Sequence, residues 1–360
     1  MATYDEAVPI EPRTTRPICV LGMSRSGTSF ATRLIGLLGV DLGSERTMLD
    51  RAPDNPRGFW EQSAMVEIDD DLLEGFGGTW WQPPELPAGW QLDPSLDAMR
   101  ERAQVTVRNH FGESRRYAWK DPRACLTLPF WQAVIGAMDY VVCFRNPLDV
   151  AASLARRNPD VHTFEDSLEL WLRHSADALR HSGGGRRLVL FYEDWFSEGA
   201  DDQMARLVDF VLGEGAAVPD GFWDETRAYR DDGLRHHAHS DADLARDSRV
   251  SAELRLFWAA LRSTRGAPEI LDLLPELEDG RSQRRQLLAD RESMGDELRK
   301  AGDTIDQLEV ERGRLAAEVE GLEAAIERER GYRQAVETSA SWRLTAPLRT
   351  LKRIVQGRSS

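Results

Sequence analysis

Residues 22–29, Gly-Met-Ser-Arg-Ser-Gly-Thr-Ser, constrain this chain more than any other segment. They follow an apolar run, Ile18-Cys19-Val20-Leu21. They precede a stretch in which Leu34, Ile35, Leu37 and Leu38 recur with helical spacing. A glycine-bounded loop between a buried strand and a helix aims backbone N–H groups and the positive helix end at one point, which suits an anion such as phosphate. The two glycines are spaced as in a P-loop, but Thr28 stands where a P-loop carries its lysine. The cation is displaced to Arg25, so the loop points to phosphate binding of a different kind from that of an NTPase.

From 17 to about 278, short β-branched runs alternate with helical patterns, which predicts parallel βαβ units. Strands are expected at 17–21, near 116–119, at 139–144 and at 187–192. Long helices are expected at 28–39, 97–111, 149–157, 164–181 and 201–213. The stretch 76–95, with paired glycines, paired prolines and three tryptophans, reads as an irregular surface loop.

Two further motifs sit at strand ends. Tyr140–Phe144 runs into Arg145-Asn146-Pro147, with Ser153 eight residues beyond Arg145. Leu188–Phe191 runs into Tyr192-Glu193-Asp194. Together with the first loop they resemble the PAPS-dependent sulfotransferase family, in its bacterial, P-loop-like form, over roughly residues 17–240. The resemblance implies a parallel sheet flanked by helices and an enzyme that uses 3′-phosphoadenosine 5′-phosphosulfate as co-substrate. It implies Arg25, Ser26, Gly27, Thr28 and Ser29 around the 5′-phosphosulfate, Arg145 and Ser153 on the 3′-phosphate, and Tyr192 beside the adenine. Leu234-Arg235-His236-His237-Ala238-His239 resembles the late segment that closes over the nucleotide, with Arg235 or His236 on a phosphate.

Sulfuryl transfer, like phosphoryl transfer, moves a group in line between two oxygens through a loose transition state. It needs cations on the transferring oxygens and a base for the acceptor hydroxyl. Arg25 and Lys120 are the expected cations, the latter in Trp119-Lys120-Asp121-Pro122-Arg123, which resembles the family's Lys-Asp-Pro segment. Glu61, beside Phe59 and Trp60, is the expected base, because apolar neighbours raise a carboxyl pKa. His110 is a weaker candidate, and Asp149 and Asp194 read as orienting groups. No metal is expected: no strand-end acid is a convincing metal ligand for the first loop, and the histidine cluster lacks a second ligand pair. Trp60, Trp80, Trp81 and Trp90 offer aromatic faces suited to a carbohydrate or glycolipid acceptor.

A formal net charge of −15 argues against nucleic acid as a partner, since phosphate contacts need clustered Lys and Arg. The three cysteines, Cys19, Cys125 and Cys143, read as buried reduced thiols. Residues 1–16 read as a disordered leader without the apolar core of a signal peptide, and a cytoplasmic location is expected.

Composition changes near 281. Met294, Ala301, Leu308, Leu315 and Leu322 interleave with Leu298, Ile305, Val319 and Ile326 in 4-3 spacing, interrupted by Arg312. This predicts a coiled coil over 281–336 and a parallel homodimer through 294–326. Residues 338–360 carry five Lys/Arg and no acid. The basic amphipathic pattern suits peripheral contact with an anionic membrane through 342–358. Ser341–Arg349 also resembles the ending of bacterial surface-glycan glycosyltransferases.

Two other functions fit parts of the pattern: a kinase or NTPase with a degenerate P-loop, and a non-catalytic coiled-coil scaffold whose domain senses nucleotide. The missing P-loop lysine and the Arg145–Ser153 pair speak against the first. The retained cations Arg25, Lys120 and Arg145 speak against the second.

Overall fold

A computed structural model describes residues 16–51, 55, 57–112, 114, 116–157, 161, 163–229 and 239–349. The expected leader therefore lies outside the described residues, save for Arg16. So do Arg235, His236 and the tail beyond 349.

The chain divides into two units, Met1–Arg281 and Ser282–Ser360. The first is built on four parallel strands: β1 (Ile18–Leu21), β2 (Ala118–Lys120), β3 (Asp139–Phe144) and β4 (Arg187–Phe191), in the order β2-β1-β3-β4. Its helices are α1 (Thr28–Leu37), α2 (Ser63–Gly75), α3 (Asp97–Phe111), α4 (Ala124–Ile135), α5 (Pro147–Arg157), α6 (Phe164–His181), α7 (Ala200–Leu212), α8 (Phe222–Tyr229), α9 (Asp241–Arg246) and α10 (Ala252–Thr264). The α/β parallel sheet and the helices read from sequence are present. Helices α2, α4, α8, α9 and α10 are additions.

β1 is apolar at all four positions and fully buried, as a central parallel strand covered on both faces must be. Alternate side chains feed separate cores. Cys19, Leu21, Val142, Phe144 and Phe191 pack toward Trp131, Trp171 and Phe257 of α4, α6 and α10. Ile18, Val20, Val141, Cys143 and Leu190 pack toward Leu34 and Ile35 of α1 and Leu207 of α7. Cys19, Cys125 and Cys143 are buried free thiols, and burial raises the pKa of each.

The order of the strands decides where a ligand can enter. From β1 the chain passes outward to β2, then crosses back to β3 on the other side of β1. The β1/β3 boundary is thus the topological switch point, beyond whose carboxyl ends open α/β sheets bind ligands. Leu21 pairs with Val142, which brings Gly22 alongside Cys143. A Cβ on Gly22 would stand 2.4 Å from the Cys143 carbonyl oxygen, so only glycine fits there.

α4 explains how this edge is tied from below. Pro129 lies inside the helix and has no N–H for the Cys125 carbonyl one turn back. His181 Nδ1, from the end of α6, donates to that carbonyl at 3.0 Å instead. Cys125 Sγ in turn accepts the Gly22 N–H at 3.2 Å.

In the second unit, residues 282–338 form the main length of α11 (Leu274–Thr338), followed by α12 (Ala340–Leu344). The helix spans the expected coiled-coil segment without a break. Eight residues of the expected seam, from Met294 to Ile326, are 48–69% exposed. No described helix is long and apolar enough to cross a membrane.

Candidate functional site

The loop after β1 turns into α1 through two left-handed residues, Arg25 (φ 73°) and Gly27 (φ 84°). Gly27 caps α1, and a Cβ there would fall 2.5 Å from Tyr192 Cδ2. Tyr192, at the end of β4, therefore lies against the bare backbone of the loop. Arg25 pays strain of roughly 1–2 kcal/mol for its conformation, and its side chain is then placed across the switch point: Nε donates to Ser153 Oγ on α5 at 2.9 Å.

Arg145, at the end of β3, completes the group. Its guanidinium lies 4.4 Å from the Tyr192 ring centroid, donates to the Arg25 carbonyl at 3.3 Å and stands 3.5 Å from Asp149 Oδ2. Arg25, Arg145, Ser153 and Tyr192, read from three separate motifs, thus form one contact network. Beneath it, the Ser26 hydroxyl is buried with no hydrogen-bond partner among the described residues. Thr28 and Ser29 open α1. Ser29 Oγ donates to the Phe59 carbonyl at 3.1 Å, which fixes the 57–61 segment to the loop.

That segment carries Glu61 inward. The β1–β2 register sets Lys120 beside Val20, at the same sheet edge. Lys120 Nζ donates to Glu61 Oε1, and both side chains are buried. Burial is the largest influence on Glu61 and raises its pKa, while Lys120 pulls it back. Arg123 stands 3.8 Å from Glu61, binds Asp70 at 2.6 Å and Asp121 at 3.0 Å, and lies 5.8 Å from the Trp80 centroid. The arrangement can hold an anion on Arg25, Arg145 and the loop while Lys120 and Glu61 address a neighbouring group.

Other candidates go elsewhere. His110 bonds the Thr106 carbonyl in its own helix at 2.9 Å. Trp90 is a core residue, packed edge-on to Phe76. Asp194 pairs with Arg262 and Arg265, each at 3.1 Å, and binds α10 to the end of β4. Asp149 accepts from the His239 backbone at 3.0 Å and from its ring at 2.6 Å. His239 is the described end of the histidine cluster, whose Arg235 falls outside the described residues.

Three supporting residues escaped the sequence reading. Asn146 Oδ1 accepts the Leu148 N–H and starts α5, while Nδ2 donates to the His239 carbonyl at 3.1 Å. Glu193 accepts the Asn146 N–H at 2.7 Å. Asp69, fully buried, accepts from Thr127 and Trp131 of α4, and burial raises its pKa. The Asn-Pro step was a readable signal for Asn146, because such a pair starts helices. Nothing in local sequence marks Glu193 or Asp69.

No protein-family profile matches the chain, and neither does any curated protein. Several solved structures are similar to it. The sulfotransferase STF9 of Mycobacterium avium is 16% identical, with a TM-score of 0.38 over 71% of this chain and 77% of that one. A retinol dehydratase, in complex with androsterone and the inactive cofactor PAP, is 16% identical, with a TM-score of 0.30 over 67% and 69%. The sulfotransferase STF1 of Mycobacterium tuberculosis is 17% identical, with a TM-score of 0.31 over 64% and 74%.

Proposed function

We propose that the chain is a sulfotransferase that moves a sulfuryl group from 3′-phosphoadenosine 5′-phosphosulfate to a hydroxyl. One observation carries this reading: Arg25, Arg145, Ser153 and Tyr192 meet at the switch point, with the Lys120–Glu61 pair at the neighbouring strand end. The buried Ser26 hydroxyl fits a phosphate-bearing ligand, since an unmet polar atom leaves a donor, while the bare Gly27 backbone lets the Tyr192 ring lie against the loop.

In this reading Arg145 and Ser153 hold the 3′-phosphate and Tyr192 flanks the adenine. Ser26, Gly27, Thr28 and Ser29 hold the 5′-phosphosulfate, and Arg235 closes over it. Arg25 and Lys120 neutralise the sulfuryl oxygens and the departing phosphate oxygen. Glu61 takes the acceptor proton as the acceptor oxygen bonds to sulfur and the sulfur–phosphate oxygen bond breaks. The products are the sulfated acceptor and 3′-phosphoadenosine 5′-phosphate. No residue has to be covalently modified, so positioning and charge carry the catalysis.

The acceptor is a carbohydrate or glycolipid hydroxyl, a reading supported by the tryptophans near Glu61. A parallel homodimer forms through 294–326, supported by the exposed apolar seam of α11. The protein works in the cytoplasm. Its basic tail touches the inner membrane face, and the described part presents exposed Leu344 and Leu348 beside Arg343 and Arg349. Transfer from sulfur-labelled co-substrate to a hydroxyl acceptor tests the reading. Lys120→Met is expected to lower kcat by about 100-fold or more with little change in nucleotide affinity. Unchanged turnover in that variant would remove Lys120 from the reaction.

A further inference from the structure

The 57–61 segment has two sides. Glu61 points into the protein, whereas Trp60 helps form an outer cleft of about 400 Å³ lined also by Arg33, Glu45, Arg51, Arg57 and Glu225. A volume of that size lies in the range of small-molecule sites.

The backbone is built to hold Trp60 there. Trp60 sits at φ 60°, a left-handed conformation that is a rare outlier for a bulky aromatic residue. Such strain persists only where the surroundings enforce it, and it gathers at functional sites. Four hydrogen bonds enforce it here. Asn55 Nδ2 donates to the Gly58 carbonyl at 2.8 Å and the Gly58 N–H to the Asn55 carbonyl at 3.0 Å. Ser29 holds the Phe59 carbonyl, and the Leu49 N–H holds the Glu61 carbonyl at 2.8 Å. The Arg33 guanidinium lies 5.3 Å from the indole centroid and is tied to Glu225 at 3.1 Å, which fixes the plane of the ring.

The chemistry of the lining selects a ligand. Arg33, Arg51 and Arg57 are matched by Glu45 and Glu225, with Asp50 lining the adjoining hollow. Balanced charge gives little net attraction to an anion. A rim of charged groups does not suit an acyl chain. Planar guanidinium and carboxylate groups hydrogen-bond adjacent hydroxyls in pairs, and an indole face covers the C–H face of a sugar ring. We propose that this cleft is a sugar subsite. A neutral pyranose ring packs on the part of the Trp60 indole that lines the cleft, its vicinal hydroxyls held by Arg51, Arg57 and Glu45. Trp60 and Glu61 are consecutive, so filling the cleft acts on the segment that carries the candidate base. This last consequence rests on the sulfuryl-transfer reading; the binding itself does not.

The test uses the full chain labelled with 5-fluorotryptophan, the Trp60 fluorine signal being assigned with Trp60→Phe. The probes are methyl glycosides of glucose, galactose, mannose and N-acetylglucosamine, with octanol and glucose 6-phosphate as contrasts. The Trp60 signal is expected to shift with at least one neutral glycoside. The double variant Arg51→Ala/Arg57→Ala, which removes two of the lining guanidinium groups, should weaken that binding about tenfold or more. A Trp60 signal that no neutral glycoside moves, or that only octanol or only the phosphate ester moves, overturns the proposal. So does a glycoside shift that the double variant leaves intact. Binding of 3′-phosphoadenosine 5′-phosphate is measured on the same samples. Loss of that binding with the glycoside shift intact would strike the sulfuryl-transfer reading and leave the subsite standing.

Discussion

Glu61 is subject to two opposing influences: burial, which favours its neutral form, and Lys120, which favours its charge. The net effect is upward from the ordinary value of 4.5. A base must be ionised to accept a proton, so turnover should fall as pH drops through that raised value and recover above it. The acid limb of kcat should therefore lie above the usual carboxylate range. Glu61→Gln should remove the limb and lower kcat by roughly 100- to 10,000-fold, as loss of a general base does. A pH–rate profile of both proteins decides, and a limb that survives in the variant excludes Glu61. The residue types of the proposed phosphate site were legible because Arg25, Arg145, Ser153 and Tyr192 each stand at a fixed offset from an apolar run. The bond between Lys120 and Glu61 was not, because 59 residues separate them and only the fold closes that gap.

Helix α6 shows the same division at the scale of an element. Its start was readable from Thr163 and Asp166, which form a capping box. Its interior was less so, since His174 looked like any polar residue on an amphipathic helix. His174 is in fact fully buried, with Nδ1 bonded to the Leu170 carbonyl at 3.0 Å and Nε2 without a partner among the described residues. Burial lowers its pKa from 6.5 to about 4. The folded state therefore binds fewer protons than the unfolded chain between those values. The stability from this group is present above pH 6.5 and is lost as pH falls toward 4. The loss between about pH 7.5 and 5 comes to about 2 kcal/mol. Urea unfolding at the two pH values should show His174→Gln losing less than the native chain on acidification; equal losses would contradict the assignment. Helix α4 was missed for a related reason. Pro129 reads as a helix breaker, and only His181 from another element satisfies the carbonyl it leaves open.

At the scale of the molecule, the parallel sheet was legible from strand-like runs separated by helical patterns. The strand order was not, since nothing local says that β2 lies outside β1. That order brings the three strand-end motifs to one edge. The exposed seam of α11 makes a separate prediction. A chain ending at 281 should sediment as a monomer and the full chain as a dimer, because the apolar series needs a partner to leave water. A monomeric full chain would rule out the homodimer. The measurement that tests the central claim most directly is calorimetric titration of the full chain with 3′-phosphoadenosine 5′-phosphate, beside ATP with Mg²⁺. The account predicts binding of the bisphosphate in preference to ATP. Arg145→Ala should weaken it by about tenfold or more, and Arg145→Lys should recover only part of the loss. A preference for ATP, or an affinity untouched by either Arg145 variant, would contradict the account.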